Sequence, residues 1–559
     1  MRIPDLSPLA WRGILLLTLT ACGAGGDTET VSNSELFPLL PDLSGEFFAK
    51  DRVLQVDIQM DDTEYETLRF EGRTMGDLLS GCFRDFEYTT FRADVSIDGE
   101  LIPNVGIRKK GFLGSLSPSR PSMKLNFALH DSSSSYLSMR RMTLNNNRQD
   151  ASATRQCITY QLFRDAGLIA PRCNFAQVSV NGQNLGYYSN VEGIDESFLR
   201  RNFENAGGNL YEAQLAGFAP IRKDSFELKT NKRVNDRTDL DAVVNALVAD
   251  DDNVLALLEQ VLDVDQFMDF WAMEIITGHW DGATGDTNNN YFVYNDPQSQ
   301  RFSYIPWGTD GALSPRAGLN GGEFPIWHVS FLSNRLYNIP EMRVRLFQNV
   351  ERLLEDVFDE GEITEEMDRI FELTDSNPDA IEEVKDFAIN QVGRLRSAMN
   401  GDIEDDSQPL QDAETTCSTI RGHVSGQWEG NMGSFTYTDS SGTARSFTGP
   451  INRNDISGGA LSSSSNPQTT PFNIFGIGNG PLVIALFSVE EPEFKVGETQ
   501  FHGFATTLFI IDTGPDGDFG ISAGGRLTID QAGAPGEPFS GSFETALGFN
   551  NGFFGGPGS

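Results

Sequence analysis

Gly278-His279-Trp280-Asp281, followed by Asp286-Thr287-Asn288-Asn289-Asn290, Tyr291-Phe292-Val293-Tyr294, Asn295-Asp296-Pro297, Phe302-Ser303-Tyr304-Ile305 and Pro306-Trp307-Gly308-Thr309-Asp310-Gly311, decides how this chain folds. The preceding residues, Val264 to Thr277, have helical spacing and stop at Gly278. The two aromatic and β-branched runs on either side of Asn295-Asp296-Pro297 predict a hairpin. A hairpin returns the chain to where it started, so Asp281 and Asp310 are expected side by side in one cleft.

Outward from this segment the texture is consistent. On the amino-terminal side, Val53 to Ile58 and Phe91 to Ile97 alternate as strands, the latter before an Asp98-Gly99 turn. Ser152 to Ala166 reads as a helix stopped by Gly167, and Phe175 to Val191 as a hairpin through Asn181-Gly182. Helices are predicted over 240–247, 254–262, 341–358, 364–373 and 380–399. Strands first and helices later predict an α+β, two-lobed domain over 46–400. An acidic linker follows at 401–417. Residues 418–559, rich in Gly, Ser, Thr and Phe, predict a smaller all-β accessory domain, a sandwich or barrel, and the sandwich is taken as the expectation. No internal repeat is present.

At 559 residues, 39% hydrophobic with 40 Phe, the chain can build more than one core. A net charge of −38 excludes broad attraction to nucleic acid or anionic lipid. Any phosphate-handling site must be a local basic island. The first residues carry Arg2 and Arg12 and then the apolar run Gly13 to Leu19, a secretory signal over 1–22. Leu19-Thr20-Ala21-Cys22 resembles a bacterial lipobox. Cys22 is therefore expected to be lipidated and to anchor the chain in the cell envelope, periplasmic or on the outer-membrane surface, with 23–45 as a flexible tether. Cys82, Cys157, Cys173 and Cys417 remain. In an exported protein they predict disulfides, Cys157 with Cys173 first. No CxxC spacing supports zinc.

Phosphoryl transfer needs cations or amides around a triphosphate, a carboxylate near the acceptor hydroxyl and an acid that holds Mg²⁺. The stretch Val105-Gly106-Ile107-Arg108-Lys109-Lys110-Gly111-Phe112-Leu113-Gly114-Ser115 runs cations into a Gly/Ser turn, and Met123-Lys124-Leu125 sets one lysine among apolar residues. Arg108, Lys110, Gly111, Ser115 and Lys124 are thus candidates for binding a nucleotide. A basic hairpin with solvated heads is the competing reading.

Seven blocks in order resemble the CotH kinase family: 106–111, 121–127, Leu144-Asn145-Asn146-Asn147-Arg148-Gln149-Asp150, 166–172, Gly186-Tyr187-Tyr188 through Glu192, 280–294, and 305–310. The resemblance spans about 50–400 and implies ATP and Mg²⁺ as cofactors. It implies Lys124 on the ATP phosphates, Asp281 as the catalytic carboxylate, and Asp310 on the metal with Asn290 or Asn289. The glutamate that would pair with Lys124 is not evident: Glu192 is a candidate nucleotide contact, and its place at the end of a strand before a helix suits a hinge contact better. The implied reaction moves the ATP γ-phosphate to Ser or Thr of an envelope or secreted protein. Relatives carry Trp-Asp-x-Asp where this chain has Trp307-Gly308-Thr309-Asp310. That departure keeps open a catalytically inactive CotH-like surface adhesin, or an envelope lipoprotein whose β domain binds a protein or polysaccharide.

Other signals are weaker. Gly520-Ile521-Ser522-Ala523-Gly524 matches GxSxG, but a strand follows where a hydrolase needs a helix. The turn Asp512-Thr513-Gly514-Pro515-Asp516-Gly517-Asp518 reads as an acidic turn before a Ca²⁺ site. The five histidines are scattered, and only His279, beside Asp281, is placed to orient the loop.

Overall fold

The computed structural model describes residues 42–79, 86–129, 135–285, 287–315, 324–403, 405, 421–453, 469–476, 481–490, 494–503, 506–514, 519–534 and 536–549. Cys22, Cys82, Cys417, the signal segment, most of the tether and nearly all of the acidic linker lie outside the described residues. The end of the expected tether is tied down, because Arg172 bonds Asp42 (2.9 Å) and Ser44 (2.6 Å).

β1 (Val53–Gln59) buries Leu54, Val56 and Ile58 and exposes the residues between them. α1 (Asp62–Phe70) is capped by Asp61, whose carboxylate accepts the amides of Thr63 and Glu64, and α2 (Met75–Leu79) follows. β2 (Phe91–Ile97) and β3 (Glu100–Lys109) join through Asp98 and Gly99, both in the left-handed region that such a turn requires. β4 (Met123–Asn126), β5 (Arg141–Asn145), α3 (Arg155–Asp165), β6 (Cys173–Val180) and β7 (Gln183–Glu192) complete the unit. The sheet order is β1-β2-β3-β4-β5-β7-β6, and β6 pairs parallel with β1, Val53 opposite Phe175. The sheet therefore closes into a barrel filled by Val56, Ile107, Leu125, Met142, Val178 and Tyr188 among others. Local patterning predicts the strands and is silent on this closure, which joins segments more than a hundred residues apart.

Beyond β7 come α4 (Glu196–Asn202), β8 (Asn209–Ala213), β9 (Glu227–Leu228), α5 (Thr238–Leu247), α6 (Val254–Val261) and α7 (Val264–Thr277). β10 (Tyr291–Asn295), β11 (Phe302–Pro306), α8 (Phe331–Tyr337), α9 (Pro340–Asp356), α10 (Glu360–Thr374) and α11 (Pro378–Met399) complete this helical body. Its sheet runs β11-β10-β8-β9. From Phe270 to Thr277 α7 is buried on all sides: Trp271 donates to the Trp327 carbonyl (3.0 Å), and Gln391 of α11 donates to the carbonyls of Ile275 (3.0 Å) and Ile276 (3.1 Å) at its end. A Cys157–Cys173 disulfide ties α3 to β6.

The carboxyl-terminal region is all β, comprising β12 (Gly422–Glu429), β13 (Met432–Thr438), β14 (Ala444–Asn452), β15 (Thr469–Gly476), β16 (Val483–Glu490), β17 (Gly497–Gln500), β18 (Thr506–Asp512), β19 (Phe519–Ser522), β20 (Arg526–Ala532) and β21 (Phe539–Phe549). The expected sandwich is corrected here. The first and last strands pair, Gly422 opposite Leu547 through Glu429 opposite Ser540, and close the sheet into a second barrel. Closure pairs the outer edge of β12, and β17, paired with β20, ends the sheet. Aromatic rings fill the interior, with Phe472 stacked on Phe487 at 4.3 Å and Trp428 packed on Phe539 at 5.2 Å. The GxSxG match falls on β19 and its turn into β20, with no helix after it. Asp512 of the acidic turn is paired with Arg445, while Asp516 and Asp518 lie outside the described residues.

The disulfide closes a loop with a sequence separation of 16 residues. Replacing Cys157 and Cys173 together by Ala is expected to lower the chemical stability of the helical body by about 2–4 kcal/mol. An unchanged denaturation midpoint and slope would contradict this.

Candidate active site

The site begins where α7 ends. Gly278 is left-handed (φ 63°) and caps the helix, and the chain turns into the loop that carries Asp281. Glu274, fully buried on α7, accepts the amides of Ala283 (2.7 Å) and Thr284 (2.9 Å) and the Thr284 hydroxyl. Burial pushes this carboxyl up to about 7 against those three bonds, with the charge of Asp281 adding to the rise. Glu274 thus clamps the loop from beneath. His279 is buried and pushed down to about 4, so its ring is neutral at pH 7, with Nε2 3.5 Å from the Asn290 carbonyl.

Asp281 is held at both oxygens, Oδ2 by Asn290 Nδ2 (2.6 Å) and Oδ1 by the Thr287 hydroxyl. The β10–β11 hairpin pairs Tyr291 with Pro306, and Trp307 then donates its amide to the Asn290 carbonyl (3.1 Å). Gly308 is left-handed (φ 55°), and a Cβ there would overlap the Asn290 amide. Asn290 occupies the room a larger residue at 308 would need. Asp310 follows in the 3₁₀ turn Thr309–Gly311, with Oδ2 3.5 Å from Asn145 Nδ2. Arg155 fixes the exit of this turn by donating to the carbonyls of Ala312 (2.6 Å) and Leu313 (2.9 Å), and Asp150 in turn holds the Arg155 amide (2.8 Å). Asp281 and Asp310 line one cleft of about 640 Å³.

The opposite wall is basic. Arg108 and Lys124 are register partners across β3 and β4, so both face the cleft, whereas Lys109 turns inward and donates to the Arg69 carbonyl (2.5 Å). Lys110 and Lys124 stand 5.9 Å and 5.4 Å from the Trp307 ring centroid. Neither ammonium has a hydrogen bond or ion pair among the described residues. Burial brings Lys124 down to about 7; Glu212 resists the fall, and Arg108, Lys229 and Lys110 add to it. Lys110 is lowered by burial against the pull of Asp310 and Glu212, and Asp310 is raised by burial against the pull of Lys110. Glu212 is pushed up by burial, but Lys229 (2.5 Å) and Lys124 outweigh this and hold it below the usual carboxylate range.

The loop after β3 completes the cleft. Gly111 accepts from the Tyr88 hydroxyl (2.9 Å), Ser115 accepts from Asn146 Nδ2 (3.2 Å) at its carbonyl, and Arg148 bonds the Gly114 carbonyl. The conspicuous 144–150 block is therefore a brace for this loop and for Asp310.

Arg108, Lys110, Gly111, Ser115, Lys124, Asp281, Asn289, Asn290 and Asp310 all line the cleft. Glu192 does not. It ends β7 in ion pairs with Arg172 (2.8 Å) and Arg201 (2.5 Å), so the acid near Lys124 is Glu212. Glu212, Lys229 and Glu274 carry no recognisable spacing in sequence. They meet the site only through the pairing of β8 with β10 and the packing of α7. Two carboxylates with the amide oxygens of Asn289 and Asn290 form a hard oxygen set. That suits Mg²⁺, which takes one or two carboxylates and draws its other ligands from phosphate and water.

The family described as CotH kinase protein matches residues 107–391, just over half of the chain. The match runs from β3 into α11 and contains Lys124, Asp281 and Asp310. Among curated proteins, the inner spore coat protein H of Bacillus subtilis (strain 168) is 23% identical over 235 residues. That alignment covers 39% of this chain and 63% of the relative. Among solved structures, the Helicobacter pylori proinflammatory kinase CtkA aligns with 52% of this chain and 94% of its own at 12% identity and a TM-score of 0.28, a likeness too weak to carry an argument.

A lysine near pH 7 is a nucleophile where ordinary lysines are not. Lys124 is expected to acetylate faster at pH 7.5 than Lys385, whose ammonium Asp368 stabilises, with its rate falling as pH drops below 7. Equal rates by quantitative peptide mass spectrometry would contradict the arrangement of charges described here.

Proposed function

The chain belongs to the CotH kinase family, and on that premise we propose that it is an exported, lipid-anchored kinase that moves the ATP γ-phosphate to a Ser or Thr hydroxyl of an envelope or secreted protein. The observation that carries this reading is the meeting of Lys124, Lys110 and Arg108 with Asp281 and Asp310 in one cleft. The three cations are free to take phosphate oxygens, and a triphosphate bound there raises Lys124 back to its charged form. Asp281, oriented by Asn290 and Thr287, is the acceptor for the hydroxyl proton. Asp310, with Asn290 or Asn289, would hold Mg²⁺, which when bound neutralises phosphate charge. A pocket of about 250 Å³ adjoins the basic wall, where Ile194, Phe292 and Trp307 stand among the charged residues Arg108, Lys124, Arg141, Glu227, Lys229 and Lys232. It has the apolar faces and backbone a nucleobase requires.

Export and anchoring rest on residues 1–22 with Cys22. Among the described residues no helix is long and apolar enough to cross a membrane. A second reading, an inactive surface binding protein, has one observation in its favour. Gly308 stands where relatives carry Asp, and the Asn290 side chain takes the space.

Mg-ATP binding and autophosphorylation of the full mature chain, beside Asp281→Ala and Asp310→Ala, test the proposal. Metal-dependent phosphate incorporation is expected, reduced by about 10²-fold or more in Asp281→Ala and lost in Asp310→Ala. Absence of nucleotide binding at millimolar ATP overturns it in favour of the binding protein.

A further inference from the structure

The second barrel meets the rest of the chain along a seam built from glycines. A Cβ on Gly548 of β21 would overlap the Gly76 carbonyl of α2. One on Gly76 would lie 2.6 Å from the Ala523 side chain and 2.7 Å from the Ile521 carbonyl. One on Gly503, whose φ is +49°, would lie 2.7 Å from the Leu113 carbonyl. At all three points backbone meets backbone with no room for a methyl group. A domain held only by a linker has no need of such a fit, because inter-domain contacts are polar and mobile by default. Hydrogen bonds secure the seam: the Gly503 amide donates to the Arg73 carbonyl (3.0 Å), and Thr74 and Gly503 form a parallel bridge. Arg421 pairs with Asp77 (3.4 Å).

The seam backs onto the cleft. Leu116, fully buried, fills the space among Gly72, Gly111 and Gly503, its atoms 3.0, 3.0 and 3.1 Å from where their Cβ atoms would stand. Arg73, whose carbonyl Gly503 holds, lines the cleft and reaches the Gly111 carbonyl (3.4 Å) and Gln214 (3.5 Å) with its guanidinium. The 111–116 loop therefore has the cleft on one side and the second barrel on the other. Because interiors are close-packed, a shift of the barrel moves the loop.

We propose that the carboxyl-terminal barrel is the fixed back wall of the nucleotide cleft, with Gly76, Gly503 and Gly548 as positioning residues that set the 111–116 loop and Arg73 for phosphate binding. This rests on the nucleotide reading above. The coupling is reciprocal: docking of the barrel strengthens nucleotide binding, and nucleotide strengthens docking.

The test uses the full mature chain, a fluorescent ATP analogue with Mg²⁺, and amide hydrogen exchange. In the unaltered protein the analogue is expected to slow exchange at 111–116 and also across the seam at Phe501–Gly503, residues that do not line the cleft and reach it only through Arg73 and the 111–116 loop. Protection confined to the cleft overturns the proposal. Gly548→Val, remote from the cleft, is expected to weaken the analogue by about fivefold or more and to speed exchange at 111–116, with Gly548→Ala intermediate. Undiminished affinity and unchanged loop exchange in a variant whose seam exchange has risen also overturn it. If Gly548→Val does not fold, the exchange pattern of the unaltered protein decides. If the unaltered protein binds no analogue, the nucleotide reading itself fails, and loop exchange in Gly548→Ala and Gly548→Val still decides whether the barrel positions the loop.

Discussion

Charges removed from water must find partners or change protonation, and the cleft is organised around that requirement. Glu212 and Lys229 meet it by pairing at 2.5 Å. Lys110, Lys124 and Asp310 meet it only in part. The two ammonium groups have an aromatic face and the longer-range attraction of Glu212 and Asp310, and Asp310 has one long bond from Asn145. The consequence is a lysine brought down to about 7 and an aspartate raised by burial, both partly driven toward neutrality. A bound anion accompanied by a divalent cation completes both sets of partners at once, the anion on the basic wall and the cation on the acids.

Local structure holds these groups in place before any ligand arrives. Glu274 fixes the loop of Asp281 through two amides and a hydroxyl, and Arg155 fixes the exit of the Asp310 turn through two carbonyls. Both anchors are buried, and a hydrogen bond from a charged group such as the Arg155 guanidinium is worth about 1.5–3 kcal/mol. Asn290 links Asp281 to the turn before Asp310, with Nδ2 on Asp281 and its side chain against the Cβ-less face of Gly308. The glycine is compatible with this bridge as it stands. Any acid at 308 requires Asn290 to move.

Much of this was legible in the sequence because it is local. The helix over Val264–Thr277, its Gly278 cap and the hairpin to Ile305 follow from periodicity and turn residues, and they bring Asp281 and Asp310 to one cleft. The pairing of Arg108 with Lys124 follows from adjacent strands. What sequence patterning did not reveal is non-local. Closure of both barrels joins distant strands, and the sandwich expectation failed there because alternation describes a strand's faces and says nothing about its neighbour. The acid near Lys124 stayed hidden for the same reason, and Glu192 is no nucleotide contact. Arg172 and Arg201 claim Glu192, and Glu212 reaches the cleft on β8, whose partner strand lies some eighty residues downstream. The glycine seam is invisible in sequence because its glycines look like turn residues until two halves of the chain meet.

The most direct test of the central claim, that the buried cations and acids form one nucleotide-metal site, is a crystallographic difference map of the full mature chain with Mg²⁺ and a non-hydrolysable ATP analogue. Phosphate density is expected against Lys124, Lys110 and Arg108 and a metal peak at Asp310, with Asp281 facing the terminal phosphate. Nucleotide bound elsewhere, or a cleft that excludes it at saturating concentration, would contradict it.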